Sequence, residues 1–386
     1  MWLTSLLFAL VANLTSAQSS AQNSELFNLV NGTQELSEFA SVFLFFPQVL
    51  ESVAGLSNIT ILAPSNAAFE ALEADPRGEA LANATQEDYI SLIYYHILNG
   101  LYDNITDYEI VPTLLTNTNY TNVTGGQVVG AFFDDDEGVV GFYSGLDIHP
   151  EGPRQPLKFS GGVLYIIDQV LNLPVSVSNT VTAEDFNGTS FVAALNETGL
   201  KEQVEQFSDT TFFVPVDAGF ESIENILAGL DADAIEGIVK YHVVPGTVQY
   251  YDILEHSTSL TTLEGNNLTV SITEDEYIFI NGAALIYSDL IVANGVVHLI
   301  DNVLNPNATF TVPVNGTDGG SPAFEGAITT HSSTPTAPGD ATGSGSSASA
   351  TNPVESLLSA GAARPLNTGA VGAAILFGGA AMALNM

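Results

Sequence analysis

An internal repeat constrains this chain more than any other feature of its sequence. Three short patterns each occur twice in the same order, at residues 59–72 and 211–223, 93–98 and 239–244, and 162–171 and 295–304. Three ordered matches predict two copies of one domain. The separation between copies is 146 residues in the second pattern and 133 in the third, so the first copy has about 146 − 133 = 13 extra residues. We place them within 125–156, which holds an acidic run and several prolines.

Each copy begins with the periodicity of helices and ends with that of strands. In the first pattern an apolar stretch stops at Pro64 or Pro215. Asn66 or Asp217 then takes the place of a helix N-cap, and a phenylalanine three residues later faces inward. Alternating apolar and polar residues, typical of strands, follow later in each copy. This order predicts an α+β fold rather than a doubly wound parallel sheet.

The repeated patterns resemble the motifs of the fasciclin domain family, over residues 24–174 and 181–306. The similar segments are the opening motif at 60–69 and 211–220, the Tyr-His dipeptides at 95–96 and 241–242, and the closing motif at 162–174 and 295–306. The copies depart from each other where Tyr165 is replaced by His298, and where Ser65-Asn66 is replaced by Val216-Asp217. The resemblance implies two domains, each a twisted β-wedge with helices packed along it. It also implies a role in cell adhesion or in cell-surface and matrix interactions.

Six residues at matching places in the two copies are candidates for an adhesion motif. They are Tyr95, His96, Tyr241, His242, Asp168 and Asp301. One reading places each Tyr-His pair on an adhesive surface, since tyrosine combines apolar area with a polar tip. The other reading is structural, with histidine rings bonded to a turn and each aspartate making a structural hydrogen bond. The sequence favours the structural reading of the histidines and leaves the adhesive one open.

The composition excludes several classes of protein. The 386-residue chain has 44 Asp and Glu against 6 Lys and Arg, a net charge of -38, which repels nucleic acid. It has no cysteine, and therefore no disulfide, thiolate or cysteine-ligated metal. It also has no nucleotide-binding, metalloprotease or serine-hydrolase motif, so we expect no enzyme, cofactor or metal. The acidic run at 134–137 lacks calcium-loop spacing and is interpreted as a solvated loop. A hydrolase with a dispersed carboxylate pair remains an open alternative, because such pairs need no local motif.

Both ends of the chain have the composition of processing signals. Residues 1–17 form an apolar run that ends in small residues, which predicts a secretory signal peptide, although no basic residue precedes the run. The small-residue triplet 359–361, a short spacer and the uncharged tail from 370 onward predict that residues 360–386 are a glycosylphosphatidylinositol (GPI) attachment signal, with attachment at Ser359 or else Gly361. The alternatives are a buried N-terminal element and a weak C-terminal membrane helix. Residues 311–358, rich in Ser, Thr, Gly and Pro, are predicted to be a disordered stalk.

The chain between these signals has eleven sequons for N-glycosylation, each with threonine in the third position. Their asparagines are Asn31, Asn58, Asn83, Asn104, Asn119, Asn122, Asn187, Asn196, Asn267, Asn307 and Asn315.

Residues and resemblance together predict a non-enzymatic, GPI-anchored surface glycoprotein that mediates adhesion or organises matrix or cell wall. We expect it at the outer face of the plasma membrane or in the wall. The expected partners are cell-surface or matrix proteins and glycans, with homophilic contact as one option, and membrane through the lipid anchor, but no nucleic acid. The alternative is a secreted or membrane-associated module that binds carbohydrate or lipid in a cleft between strands and helices.

Overall fold

The computed structural model describes residues 24–183, 185–254, 259–274, 277–311 and 319–328. The predicted signal peptide, Asn315, Ser359, Gly361 and the predicted attachment signal lie outside these residues. The described residues form two compact units, the first with residues 24–180 and 290–294, the second with residues 181–289 and those from 295 onward. Both contain helices and a sheet with parallel and antiparallel pairs, so the predicted α+β class is confirmed.

The first unit opens with helices, as the periodicity indicates. Its helices are α1 (Glu25–Gly32), α2 (Ser37–Phe45), α3 (Pro47–Ala54), α4 (Asn66–Ala74), α5 (Pro76–Leu81), α6 (Gln86–Tyr95) and the connecting α7 (Val177–Val181). Its strands are β1 (Ile59–Pro64), β2 (Ile97–Leu98), β3 (Glu109–Pro112), β4 (Val128–Asp134), β5 (Val139–Tyr143), β6 (Glu151–Pro153), β7 (Leu157–Phe159) and β8 (Gly162–Ile167). They form two four-stranded sheets, with orders β2-β1-β8-β7 and β3-β4-β5-β6.

The second unit repeats this order of elements. Its helices are α8 (Thr189–Glu197), α9 (Lys201–Gln206), α10 (Asp217–Glu221), α11 (Glu224–Leu227) and α12 (Ala232–Tyr241). Its strands are β9 (Thr210–Pro215), β10 (Val243–Val244), β11 (Ser259–Thr261), β12 (Asn267–Ile272), β13 (Ile278–Ile280), β14 (Ala283–Val292, of which residues 283–289 fall in this unit) and β15 (Gly295–Ile300). The long strand β14 joins them into one sheet of order β10-β9-β15-β14-β13-β12-β11.

The closing motif of each copy forms a strand parallel to the strand of the opening motif. Strand β8 pairs with β1, and β15 pairs with β9, each over six residues in register. Both closing strands begin with glycine because the partner backbone is too close for a side chain. A Cβ atom would lie 1.8 Å from the Ile59 carbonyl oxygen at Gly162, and 1.8 Å from the Thr210 carbonyl oxygen at Gly295.

The structure corrects the prediction that Asn66 and Asp217 are the N-caps of the helices they begin. Helix α4 is capped by Ser65, whose side chain accepts from the Ala68 N–H. The Asn66 side chain instead accepts from the Glu38 N–H at 2.9 Å, and Asp217 accepts from the Ser190 N–H at 2.7 Å. Each residue therefore satisfies the first turn of an earlier helix, α2 or α8, where free N–H groups need an acceptor.

The core of the first unit has two parts. One part packs helices α1 to α3 against β1, with Val30, Phe43 and Leu50 almost fully buried. The other part lies among the strands and contains Tyr95, Phe142 and Tyr165. A core cluster of the second unit contains Phe213, Leu268 and Ile280.

The extra residues of the first copy lie only partly where the sequence placed them. The Tyr95 hydroxyl donates to the Val128 carbonyl and the Tyr241 hydroxyl to that of Asn267, so these two carbonyl positions are equivalent. The two copies are therefore 267 − 128 = 139 residues apart at these carbonyls, compared with 146 residues apart at the tyrosines. Seven of the thirteen residues therefore lie between Tyr95 and Val128, almost entirely before residue 125. Most of the rest form the loop 144–150 between β5 and β6.

Part of the predicted stalk is instead attached to the second unit. Residues 319–328, which we name the strap, make four hydrogen bonds with it. Three are donated by backbone N–H groups: Gly320 to the Asp301 carboxylate (2.6 Å), Ser321 to the Gly282 carbonyl (2.8 Å) and Ile328 to the Ser222 carbonyl (2.8 Å). In the fourth, the Asn305 side chain donates to the Ala323 carbonyl at 3.2 Å. The boundary at 311 was wrong because sequence composition does not show these backbone contacts.

Within the described residues, no single helix has the length and hydropathy of a membrane span. The segments Gln34–Phe45 and Pro47–Ala54 meet that criterion as a pair bent by 102°.

Candidate functional site

The Tyr-His dipeptides lie where a helix ends and a short strand begins. His96 is the C-cap residue of α6, and its ring joins this helix end to the segment after β8. Its Nδ1 lies 2.8 Å from the Leu92 carbonyl oxygen, and the Leu171 N–H donates to its Nε2 at 3.0 Å. A carbonyl only accepts, so Nδ1 carries the proton and Nε2 is an acceptor.

His242 repeats this arrangement in the second unit. Its Nδ1 lies 2.8 Å from the Ile238 carbonyl oxygen, and the Leu304 N–H donates to its Nε2 at 2.9 Å. Burial lowers the pKa of both histidines to about 4, a shift that the bond to the backbone carbonyl partly offsets. Both rings are therefore neutral at pH 7, and neither has a free nitrogen for general-base catalysis.

The adhesive-surface reading of the Tyr-His pairs is wrong, because all four side chains lie in the core. Tyr95 and His242 are 0 % exposed, His96 is 3 % exposed and Tyr241 is 4 % exposed. The hydroxyls of both tyrosines are used internally, in the bonds to the Val128 and Asn267 carbonyls. A partner of the folded protein cannot touch these residues, so their role is structural.

The aspartates Asp168 and Asp301 differ in their surroundings. Each accepts a hydrogen bond from the strand beside it, from the Glu151 N–H at 2.7 Å or the Ala284 N–H at 2.8 Å. Asp168 is exposed, whereas Asp301 also receives the strap at Gly320. Burial raises the pKa of Asp301, and its N–H donors oppose that shift.

The closing motifs of the two copies differ at one position, which is Tyr165 in the first and His298 in the second. These two side chains make different internal hydrogen bonds. The Tyr165 hydroxyl donates to the Tyr102 carbonyl at 2.9 Å. His298 has Nε2 2.7 Å from the Gln249 carbonyl oxygen and receives the Asp289 N–H at Nδ1, so it has the opposite tautomer to His96. Burial lowers the pKa of His298 to about 4. This histidine is also a structural residue.

An apolar cavity of about 50 Å³ lies beside His96 in the first unit. Helices α2, α4, α5 and α6 line it, and Phe39, Phe46, Leu72 and Leu81 are among its buried walls. This cavity was not predicted from the sequence. Its only signal was the helical spacing of Phe39, Val42 and Phe46, which indicates a core face equally well.

The sequons lie at the surface. Ten of the eleven asparagines fall within the described residues, and all ten are exposed. In the acidic run Asp134 is buried and accepts from the Asp136 and Glu137 N–H groups, while residues 135–137 are exposed. No group of three or more His, Asp or Glu side chains among the described residues could hold a metal ion.

Comparisons with known proteins identify the family of this chain. A model of the Fasciclin domain matches residues 34–174 and 187–306. The "Fasciclin-like arabinogalactan protein" of Arthroderma benhamiae is 30% identical over 326 residues, covering 83% of this chain and 75% of that protein. Human periostin is 28% identical over 67% of this chain, but only 29% of its own length is covered. A solved FAS1 domain pair from the insect cell adhesion molecule fasciclin I aligns with 70% of this chain and 96% of its own, at 20% identity and a TM-score of 0.34. The chain belongs to the fasciclin domain family, with two copies of the domain.

Proposed function

We propose that this protein is a non-enzymatic, N-glycosylated cell-surface or matrix protein that mediates adhesion or organises the matrix or cell wall. The exposure of all ten described sequon asparagines carries the proposal. Oligosaccharyl transfer takes place in the secretory pathway, and a glycan on a buried asparagine would prevent folding. The arabinogalactan name of the Arthroderma benhamiae relative supports the same surroundings.

The proposal includes the two processing signals. The segment 1–17 directs the chain to the secretory pathway, and the tail after Ser359 is exchanged for a lipid anchor, with Gly361 as the second choice of attachment residue. The Ser/Thr-rich residues after the strap then separate the two domains from the membrane.

The adhesive contact belongs to the outer surface of the domains rather than to the Tyr-His pairs. Exposed apolar side chains are present in both units, among them Leu101, at 47 % exposure, and Ile253, at 44 %. Cell-surface or matrix proteins, glycans and a second copy of the chain are the partners that such a surface serves. A net charge of -38 disfavours acidic partners and nucleic acid.

Phase partitioning of membranes that carry the full-length protein tests the proposal. We expect phosphatidylinositol-specific phospholipase C to move the protein from the detergent phase to the aqueous phase. We also expect an N-glycosidase to lower its apparent mass stepwise, as several occupied sequons require. A known GPI-anchored protein, released in the same sample, is the control. A protein that stays in the detergent phase beside a released control contradicts the anchor, and an unchanged mass contradicts the glycoprotein.

A further inference from the structure

The sheet formed by strands β3 to β6 has a cluster of aromatic side chains on the face that points away from the core. Alternate residues of β4 and β5 belong to the core, namely Val129, Ala131, Val140 and Phe142. The residues between them face the other way, among them Phe132 and Tyr143, whose rings stack with their centroids 4.9 Å apart. The ring centroids of Tyr108 and His149 lie 6.4 Å and 5.6 Å from that of Tyr143. We name these four residues the aromatic face.

A partner can reach three of the four rings. Tyr108, Tyr143 and His149 are half-buried, whereas Phe132 is only 1 % exposed. Residues 123–186, which include β4, β5 and β6, contain no sequon. These strands therefore carry no N-glycan of their own, and the half-buried rings offer a partner apolar area with polar tips.

Carboxylates surround the centre of the aromatic face. Burial raises the pKa of Tyr143, and the nearby carboxylates of Asp147, Glu151 and Asp134 raise it further. Glu151 pairs with Gly141 across β5 and β6, so its side chain lies on the same face of the sheet as Tyr143. The pKa of Glu151 is itself raised, by burial and by other carboxylates. A positively charged partner would relieve this crowding of like charges.

The second copy does not repeat the aromatic face. The separation of 139 residues at the Val128 and Asn267 carbonyls aligns β4 with β12, and strand pairing aligns β5 with the end of β13. Phe132, Tyr143 and His149 then correspond to Ser271, Asn281 and Gly282. The second copy has an aromatic residue opposite Ser271, Phe279, which is fully buried. The fold therefore does not require the half-buried rings of the first copy.

We propose that the aromatic face binds a basic, arginine-containing segment of a partner protein, an inference that rests on the cell-surface or matrix role proposed above. A guanidinium group stacks on aromatic rings and pairs with carboxylates, so it matches both features of this face. The same sheet already holds such a contact, since the Arg154 guanidinium lies 4.1 Å from the centre of the Phe133 ring. The net charge of -38 steers a basic segment toward the protein.

Isothermal titration calorimetry of the full-length protein with two synthetic peptides tests the proposal. One peptide alternates arginine with glycine and the other alternates lysine with glycine, so both have the same length and charge. We expect the arginine peptide to bind at least fivefold more tightly, because the planar guanidinium stacks on rings and the lysine ammonium is a point charge. Equal affinities would show that charge alone attracts the peptides, and would overturn the proposal.

Two tyrosine substitutions locate the contact without changing the net charge. Tyr143→Leu removes the central ring, and we expect it to weaken binding of the arginine peptide at least fivefold and to abolish the preference over lysine. Tyr277→Leu, at a half-buried position in the second unit, should leave both unchanged. Thermal unfolding checks that the variants are folded. If Tyr143→Leu does not fold, Tyr108→Leu replaces it, with an expected loss of at least threefold. A folded variant of either residue that binds like the wild-type protein would overturn the proposal.

Two glutamate substitutions separate local charge from the charge of the whole molecule. Glu151→Gln and Glu202→Gln each remove one negative charge, but Glu202 lies exposed on α9 of the second unit. We expect only Glu151→Gln to weaken binding of the arginine peptide, at least threefold. An equal loss in both proteins would show that the peptide has no site on the aromatic face.

Competition with an uncharged oligosaccharide, cellohexaose, examines a glycan as the occupant. We expect it not to displace the arginine peptide, and displacement at the peptide's own concentration would make the face a sugar-binding surface and overturn the proposal. Peptide binding by the purified protein depends on neither the lipid anchor nor the processing signals. Phase partitioning tests those separately, so a failure of this proposal is distinguishable from a failure of the proposed function.

Discussion

His96 and His242 each connect parts of the chain that are far apart in sequence. A neutral imidazole donates at one nitrogen and accepts at the other, so it can satisfy a helix carbonyl and a distant N–H at once. The two bonded N–H groups belong to residues 75 and 62 positions away, in the segment after the closing strand. Replacing either ring by a methyl group would leave the buried N–H of Leu171 or Leu304 unpaired, at a cost of about 1–3 kcal/mol.

The buried histidines predict a loss of stability in acid. The pKa of His96, His242 and His298 is about 4 in the folded protein, below the ordinary 6.5. The unfolded chain therefore binds more protons between these values. Their contribution to the free energy of unfolding is complete above pH 6.5, falls as the pH drops below it, and is lost near pH 4. Urea unfolding of the full-length protein at intervals from pH 7.5 to 4 measures this loss.

Histidine variants separate this effect from the titration of carboxylates. His242→Gln should lower stability at pH 7.5 and make its decline between pH 6.5 and 4 shallower. His149→Gln, at a half-buried loop position outside the core, should leave that decline unchanged. An unaltered decline in the His242→Gln protein would contradict the assignment.

At the scale of helices and strands, each unit is stabilised by side chains that lie at the end of one element and hydrogen-bond the backbone of another. Asn66 and Asp217 begin helices but bind the first turns of α2 and α8. In both units another part of the chain hydrogen-bonds the segment that follows the closing strand, but a different part does so in each. In the first unit the loop 144–150 does this, with the Gly145 N–H bonded to the Asn172 carbonyl. In the second unit the loop is shorter, and the strap contacts Asp301 and Asn305.

Asp301 is predicted to hold the strap. In the Asp301→Asn protein the side chain keeps only one acceptor oxygen. Its N–H₂ group then faces a backbone N–H, so that two donors oppose each other. We therefore expect Asp301→Asn to increase the amide exchange rates of Gly320 and Ser321 at least tenfold, as measured by hydrogen–deuterium exchange. Asp168→Asn, the same change at the matching position of the first unit, is the control and should leave these rates unchanged. Exchange at random-coil rates in the wild-type protein would show that the strap is not bound.

The whole molecule is strongly acidic, and its few cations do not offset this charge. Arg77, Lys158 and Lys240 each pair with a nearby carboxylate, and the Lys158 pair is exposed, so it adds little stability. Such a surface repels other acidic surfaces at long range. Adhesion through apolar patches and glycans, as proposed above, therefore has to act at short range, within a Debye length of about 8 Å at physiological salt.

Removal of the tail tests the proposed anchor at this scale. A chain that ends at Ser359 lacks the apolar tail that the attachment signal needs, so we expect its secretion into the medium. Immunoblots of medium and membranes from cells that express the full-length or the truncated chain measure this distribution. A substitution in the predicted stalk, Thr336→Ala, is the control and should leave the protein on membranes. Truncated protein that remains membrane-bound would contradict the anchor.

The repeated motifs alone were sufficient to predict the number of domains, their family and their α+β class. Strand, proline, cap and helix follow one another locally, and their order is visible in a linear pattern. The glycines at 162 and 295 were part of the motif, but the reason for them, the close parallel strand, appeared only in the fold.

Other properties depend on which residues meet across long separations. Four properties are of this kind: the direction of the Asn66 and Asp217 side chains, the burial of the Tyr-His pairs, the strap on Asp301 and the cavity beside His96. A tyrosine or a histidine has the same sequence signal at a surface as in a core, because both carry apolar area and a polar atom. The sequence determined what the units are, whereas the tertiary structure decided which side chains remain available to a partner, since only packing removes a group from water.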